Sequence, residues 1–219
     1  MKFEAILFDC DGVLVDSEPM THEVLRGMLA ERGWVMTQAE CMQHFVGKTL
    51  RDERAAIEAH TGQPLTEVWL DDFYQRRNAA LKAHLQIMPG ARAAVQAAHT
   101  LVQGRIACAS GSDRPKVQMM LNKVGLMDFF DGRVFTGHEM PRSKPAPDVY
   151  LAAAGHFGLT GASCLVIEDT TVGVTAGVAA GATVWAFCPR PEYGDALLQT
   201  GASRLFSAMA ELPALLAAA

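Results

Sequence analysis

The chain's pattern predicts an α/β fold: a parallel sheet with helices on both faces, interrupted by one inserted all-helical unit. Three observations carry this. The segment Ala5–Phe8 is apolar on both of its faces, as in a central strand covered from either side. From Pro89 onward short apolar runs alternate with helical segments, the rhythm of a parallel sheet with right-handed crossovers. Residues 17–88 in between show helical spacing without strand alternation. The expected division is 1–16 and 89–219 as the α/β core, with 17–88 as a helical cap of about four helices.

The elements follow in order. Ser17-Glu18-Pro19 has a capping residue and an early proline, which opens a helix towards Arg32, and Gly33 ends it. Arg51–His60 and Leu65–Leu85 are helical, parted by Gly62-Gln63-Pro64. After Pro89-Gly90 the strands are Arg105–Ser110, Arg133–Thr136, Cys164–Ile167 and Thr183–Phe187. The helices between and after them are Arg114–Val124, closed by Gly125, then Ala146–Phe157, one starting at Val172, and a closing Ala208–Ala219. Val172–Phe187 is the longest candidate for a membrane span, but it is short of the usual ~20 residues. Its Gly173, Gly177 and Gly181 fit better with a helix lying close on a sheet, followed by a strand.

Composition narrows the function. At 219 residues, half of them hydrophobic, the chain can bury a sizeable core. A net charge of −5 with no basic run argues against nucleic acid as a partner. Cys10, Cys41, Cys108, Cys164 and Cys188 are scattered and odd in number, so they read as buried thiols of a cytoplasmic protein. Glu4 and Asp9 interrupt any signal-peptide core, so none is expected, and no membrane partner either.

Asp9 and Asp11 stand two residues apart at the end of the first strand, where side chains point the same way. Gly12 lets the backbone turn beneath them. Like charges at about 4 Å repel by roughly 4 kcal/mol at an effective dielectric of 20, so the pair calls for a cation or a shared proton. Three further polar groups follow the later strands: Ser110-Gly111-Ser112, Ser143-Lys144-Pro145 and Glu168-Asp169. Ligands of parallel sheets bind at this edge. The histidines are dispersed and unpaired for zinc. Gly47-Lys48-Thr49 fails as a P-loop because Met42 occupies the required glycine position and no strand precedes it.

The segment Asp9-Cys10-Asp11-Gly12-Val13-Leu14-Val15-Asp16-Ser17 resembles the first motif of the haloacid dehalogenase superfamily of phosphohydrolases. The other three groups match its remaining motifs in type and order. More narrowly, the chain is similar to the branch with a small helical cap, which holds sugar-phosphate phosphatases and beta-phosphoglucomutase. The resemblance implies a Rossmann-like core and a phosphatase of small phosphorylated metabolites, sugar or sugar-acid phosphates. It makes Asp9 the nucleophile, forming an acyl phosphate, and Asp11 the general acid and base. Ser110, Gly111, Ser112 and Lys144 would bind phosphate. Asp9, Glu168, Asp169 and the backbone carbonyl of Asp11 would hold Mg²⁺. The insert would act as a lid, with Lys48 and Arg51 meeting the leaving group. The protein is expected to be a monomer.

The alternative is a phosphosugar mutase. Its family pattern has a cap histidine where this chain has Thr21, with His22 one residue along. A one-residue shift turns a helical side chain by about 100°, which favours hydrolysis. Asp11 argues against dehalogenation, since halide departure needs no acid. A phospho-receiver is disfavoured because its phosphorylated aspartate lies on a later strand than its acidic pair.

Overall fold

The computed structural model describes residues 3–45 and 49–219. The first strand, β1, is Ala5–Phe8, and all four of its residues are buried. The chain then enters a helical unit, Ser17–Leu85, and returns to the first unit from Gln86 onward. The crossing into the insert and the crossing out are paired along the backbone. Asp16 N–H donates to Gln86 O at 3.1 Å, and Met88 N–H to Leu14 O at 3.0 Å. That pairing keeps residues 86–88 with the sheet rather than with the insert, three residues earlier than the sequence boundary.

Within the insert, among the described residues, the helices are α1 (Glu18–Ala30), α2 (Gln38–Phe45), α3 (Arg54–Thr61) and α4 (Glu67–His84). They enclose Leu25, Met28, Leu29, Cys41, Phe45, Ile57, Leu70 and Phe73. Ser17 makes no side-chain cap. Its carbonyl instead accepts from Thr21 N–H and from Thr21 Oγ1–H, at 3.1 and 2.9 Å. Thr66 does cap α4, accepting from Trp69 N–H at 3.3 Å.

The second part of the core adds α5 (Ala91–Leu101), β2 (Ile106–Ser110), α6 (Arg114–Lys123), α7 (Met127–Phe130) and β3 (Val134–Thr136). There follow α8 (Asp148–His156), β4 (Cys164–Glu168), α9 (Thr171–Ala179), β5 (Thr183–Phe187), α10 (Gly194–Gln199), β6 (Arg204–Phe206) and α11 (Leu212–Ala217). Sequence alternation alone leaves out α5 and β6. The first buries Ala91, Ala94, Val95 and Ala98, a helical face made almost wholly of alanine. The second is only three residues long and begins with the exposed Arg204. The closing helix is shorter than expected. Glu211 Oε1 accepts from the backbone N–H of Ser207 and Ala208 at 3.2 and 2.8 Å, which holds residues 207–211 in a tighter turn before α11.

The described strands form one parallel sheet in the order β3-β2-β1-β4-β5-β6. In register, Phe8 lies between Cys108 of β2 and Ile167 of β4. Chain direction around the sheet therefore reverses beside β1, and the crevice beyond the strand ends at such a point is where ligands of these sheets bind. Helix α9 lies tight on the sheet at Gly177. A Cβ there would come 2.8 Å from Val184 Cγ2, closer than real side chains tolerate. Of the three glycines expected on that face, Gly177 meets the sheet and Gly173 the Glu168 carboxylate, whereas Gly181 lies beyond the end of α9 and a Cβ there would meet nothing within 4 Å. No helix among the described residues is long and apolar enough to cross a membrane. All five cysteines are free and buried.

Candidate active site

The polar residues at the strand ends of the α/β unit converge on two adjacent lysine-centred clusters. Asp9 directly follows β1, and its N–H donates to Ile167 O at 2.9 Å, so the sheet ladder itself fixes its backbone. Its side chain is nearly buried, and Oδ1 accepts from Lys144 Nζ at 2.6 Å. The same ammonium donates to Glu168 Oε1 at 2.7 Å and to Ala109 O at 3.0 Å. All three lysine donors are thus used. The ring of Tyr150 lies 4.7 Å from Nζ.

Glu168 ends β4 and is 1 % exposed. Its Oε1 accepts from Lys144 and from Tyr150 O–H at 2.8 Å. Its Oε2 accepts from the N–H groups of Asp169 and Thr170, at 2.9 and 3.1 Å, and from Thr170 Oγ1 at 3.2 Å. Thr170 also caps α9, accepting from Gly173 N–H at 3.0 Å. With five donors on its two oxygens, Glu168 is engaged as a support for Lys144.

Electrostatics follow from the burial. Removal from water works against the charge on Lys144, but Asp9 and Glu168 outweigh it and hold the ammonium well above the usual lysine range. Burial also works to raise Glu168, yet Lys144 and the surrounding donors prevail and hold it below the usual range. Asp9 is pushed by burial up to about 7; Lys144 opposes this, and the charges of Glu168 and Asp11 add to it. Tyr150 is raised well above its ordinary value by burial and by Glu168, so it stays a donor.

The second cluster holds Asp11. Its Oδ1 pairs with Lys116 Nζ at 2.9 Å, and its Oδ2 accepts from Ser112 Oγ–H at 2.9 Å. Ser112 Oγ in turn accepts from Lys116 Nζ at 2.9 Å. The side chain expected to meet phosphate therefore faces Asp11. Ser110, the last residue of β2, is buried, and its Oγ accepts from Ser112 N–H at 3.0 Å. A Cβ on Gly111 would meet no atom within 4 Å, so this loop borders open space.

Gly12 has φ of +78°, the left-handed turn that glycine tolerates. A Cβ on it would overlap the Asp169 carboxylate. The Asp169 side chain thus lies against the turn that carries Asp9 and Asp11. Among the described residues no three His, Cys, Asp or Glu side chains form a ready-made metal cage. Mg²⁺ does not need one, since it usually takes one or two carboxylates and completes its shell with waters and substrate phosphate. The carboxylates of Asp9 and Asp169, with a backbone carbonyl from the turn that carries Asp9 and Asp11, fit that requirement.

In the insert, Arg51 makes a two-pronged ion pair with Glu67 at 2.5 and 2.6 Å. It is already committed within its own unit. Lys48 lies outside the described residues. His22 is buried on α1, and Thr21 is hydrogen-bonded into its own helix.

Lys116, Tyr150 and Thr170 join the clusters without having been expected there. Only Lys116 leaves a trace in sequence: a lysine in the first turn after a helix cap, where the macrodipole disfavours it.

Comparison with known proteins places these features among relatives. The family described as haloacid dehalogenase-like hydrolase matches residues 3–181. The chain is 27% identical over 191 residues to the 6-phosphogluconate phosphatase of Escherichia coli (strain K12), covering 87% of this chain and 85% of that one. Among solved structures it resembles a haloacid dehalogenase-like protein of unknown function from Agrobacterium tumefaciens str. C58. That match has TM-score 0.87 and 32% identity, and covers 99% of this chain and 98% of the other. A family hydrolase from Deinococcus radiodurans R1, solved with bound phosphate and sodium, matches with TM-score 0.83 and 33% identity, over 99% and 96% of the two chains.

Proposed function

We propose that this chain, which belongs to the haloacid dehalogenase-like hydrolase family, is a Mg²⁺-dependent phosphatase of small phosphorylated metabolites, sugar or sugar-acid phosphates. The observation that carries the reading is Lys144 bridging Asp9 and Glu168 at 2.6 and 2.7 Å, beside Asp11. A carboxylate, a buried cation and a second carboxylate held by its own lysine suit attack on phosphorus better than they suit a fold-stabilising pair.

In this reading Asp9 is the nucleophile through Oδ2, the oxygen that Lys144 does not hold. Its electron pair forms the new P–O bond as the bond to the leaving oxygen breaks. That oxygen keeps its electron pair and takes a proton from Asp11. In the second half Asp11 takes a proton from water, and the water oxygen attacks the phosphorus. The P–O bond to Asp9 breaks, and its electron pair returns to the carboxylate. The products are inorganic phosphate and the free alcohol. Lys144 and donors of the Ser110–Ser112 loop balance charge on the phosphoryl oxygens. Asp9, Asp169 and the backbone carbonyl of Asp11 would hold Mg²⁺, with Glu168 acting through Lys144. When bound, the ion supplies positive charge that neutralises the phosphate and eases approach of an anionic nucleophile.

The E. coli relative is named for 6-phosphogluconate, a sugar-acid phosphate, which supports that substrate class here. The helical insert, 17–85, is assigned selection of the leaving group. No observation favours the mutase, since its expected histidine position is Thr21, whose hydroxyl is bonded to Ser17 O at 2.9 Å.

The test is release of inorganic phosphate from about a hundred phosphorylated metabolites, 6-phosphogluconate among them, with and without Mg²⁺. Metal-dependent turnover in large excess over enzyme is expected. Asp9→Asn should abolish it, and Asp11→Asn should slow it by roughly 10² to 10⁴. Turnover that survives Asp9→Asn would overturn the reading.

A further inference from the structure

Lys116 is a costly residue where it stands. It is the third residue of α6, after the cap Asp113, whose Oδ1 accepts from Lys116 N–H at 2.9 Å. The first turn of a helix carries the positive end of the macrodipole and disfavours a cation. The side chain is also 7 % exposed, and burying an ammonium is unfavourable unless it is paired. Neither the helix dipole nor burial favours a lysine here.

What the position gains is a closed three-member ring. Lys116 Nζ reaches Asp11 Oδ1 and Ser112 Oγ, each at 2.9 Å, and Ser112 Oγ–H reaches Asp11 Oδ2 at 2.9 Å. Both carboxylate oxygens of Asp11 are therefore fixed from outside its own loop. The two acids at the end of β1 have separate lysines. Lys144 holds Asp9, and Lys116, from a different element, holds Asp11.

We propose that Lys116 is a positioning residue for Asp11, fixing with Ser112 the carboxyl group that exchanges a proton first with the leaving oxygen and then with water. This rests on the phosphatase reading above. Both half-reactions use Asp11, so its placement bears on turnover whichever half is slower. A displacement of about 1 Å in a reacting group can cost on the order of 10²-fold in rate.

The test is Lys116→Met, which keeps the apolar stem and removes the charge, assayed on p-nitrophenyl phosphate with Mg²⁺. The expected result is a fall in kcat on the order of 10²-fold, with KM and competitive inhibition by inorganic phosphate unchanged. Lys116→Arg should recover part of the loss. In an Asp11→Asn background Lys116→Met should cost almost nothing more, because the two act as one unit. Weakened inhibition by phosphate would make Lys116 a phosphate ligand and overturn the proposal. So would an undiminished loss in the Asp11→Asn background. If the wild-type protein hydrolyses no phosphate ester at all, the phosphatase reading fails. The placement of Asp11 is then decided by a crystal structure of Lys116→Met: a displaced or disordered Asp11 carboxylate supports the proposal, and an unmoved one overturns it.

Discussion

Gly173 lies directly against the carboxylate of Glu168: a Cβ built on the glycine would overlap both carboxylate oxygens. Helix α9 therefore starts hard against the residue that anchors Lys144. The same contact accounts for the capping pattern, in which Thr170 Oγ1 touches both Glu168 and Gly173 N–H.

Gly173→Ala should consequently move either α9 or Glu168. Overpacking a tight site costs about 1–3 kcal/mol, so a lowered melting temperature is expected. Activity should fall by more than the folded fraction does, because Lys144 loses its anchor. Thermal unfolding and phosphate release on one preparation check this. A variant with wild-type melting and wild-type turnover contradicts the packing described.

Tyr150→Phe removes one of five donors on Glu168 and leaves the ring beside Lys144 in place. A net hydrogen bond is worth about 0.5–1.5 kcal/mol, somewhat more to a charged group. The expected outcome is a modest loss of stability by denaturant titration. Turnover should drop far less than in Asp9→Asn, since Lys144 keeps its bonds to Asp9 and Glu168.

Asp9 links stability to pH and metal. Its carboxyl rises on folding from 3.8 to about 7, chiefly through burial. The folded state therefore binds more protons than the unfolded one between those values. Its contribution is fully present below pH 3.8, is lost as pH climbs through about 7, and is flat beyond. Without metal, the wild-type protein should lose stability relative to Asp9→Asn across that window. Added Mg²⁺ favours the ionised carboxylate, so its stabilisation should grow with pH over the same range. Denaturant titrations at several pH values, with and without Mg²⁺, measure both slopes. A pH-independent difference between wild type and Asp9→Asn would contradict the assignment.

The thiols should be inert in the folded protein. All five are buried, and burial pushes Cys41 and Cys164 up to about 11. The thiolate is the reactive form, so a thiol reagent at pH 8 should label these two only slowly until denaturant is added. Fast labelling of the native protein at either residue would contradict their placement.

Much of the core was legible because it rests on local pattern. Ala5–Phe8 and Thr183–Phe187 are strands over the residues anticipated. Asp9, Asp11, Lys144 and Glu168 reach one sheet edge because each ends or follows a strand. What stayed hidden depends on contacts between residues far apart in sequence. Tyr150 reads as a core aromatic on α8, and nothing nearby marks its hydroxyl as a partner for Glu168. The bonds of Ser112 Oγ to Asp11 and Lys116 were hidden because the three residues stand far apart in sequence or on different elements. The backbone N–H groups of Asp169 and Thr170 that donate to Glu168 Oε2 were equally hidden, since backbone donors leave no signature in residue type.

The paired crossings at Leu14–Asp16 and Gln86–Met88 have a further consequence for inheritance. The helical segment leaves and rejoins the sheet at neighbouring points, so its two ends are held together by the core's own backbone pairing. Replacing it with a segment of different length alters loop-closure entropy only slowly and disturbs no strand pairing. Lineages built on this plan could exchange the whole helical segment while the strand-end residues of the sheet stay put, a change made by transplantation rather than by point substitution.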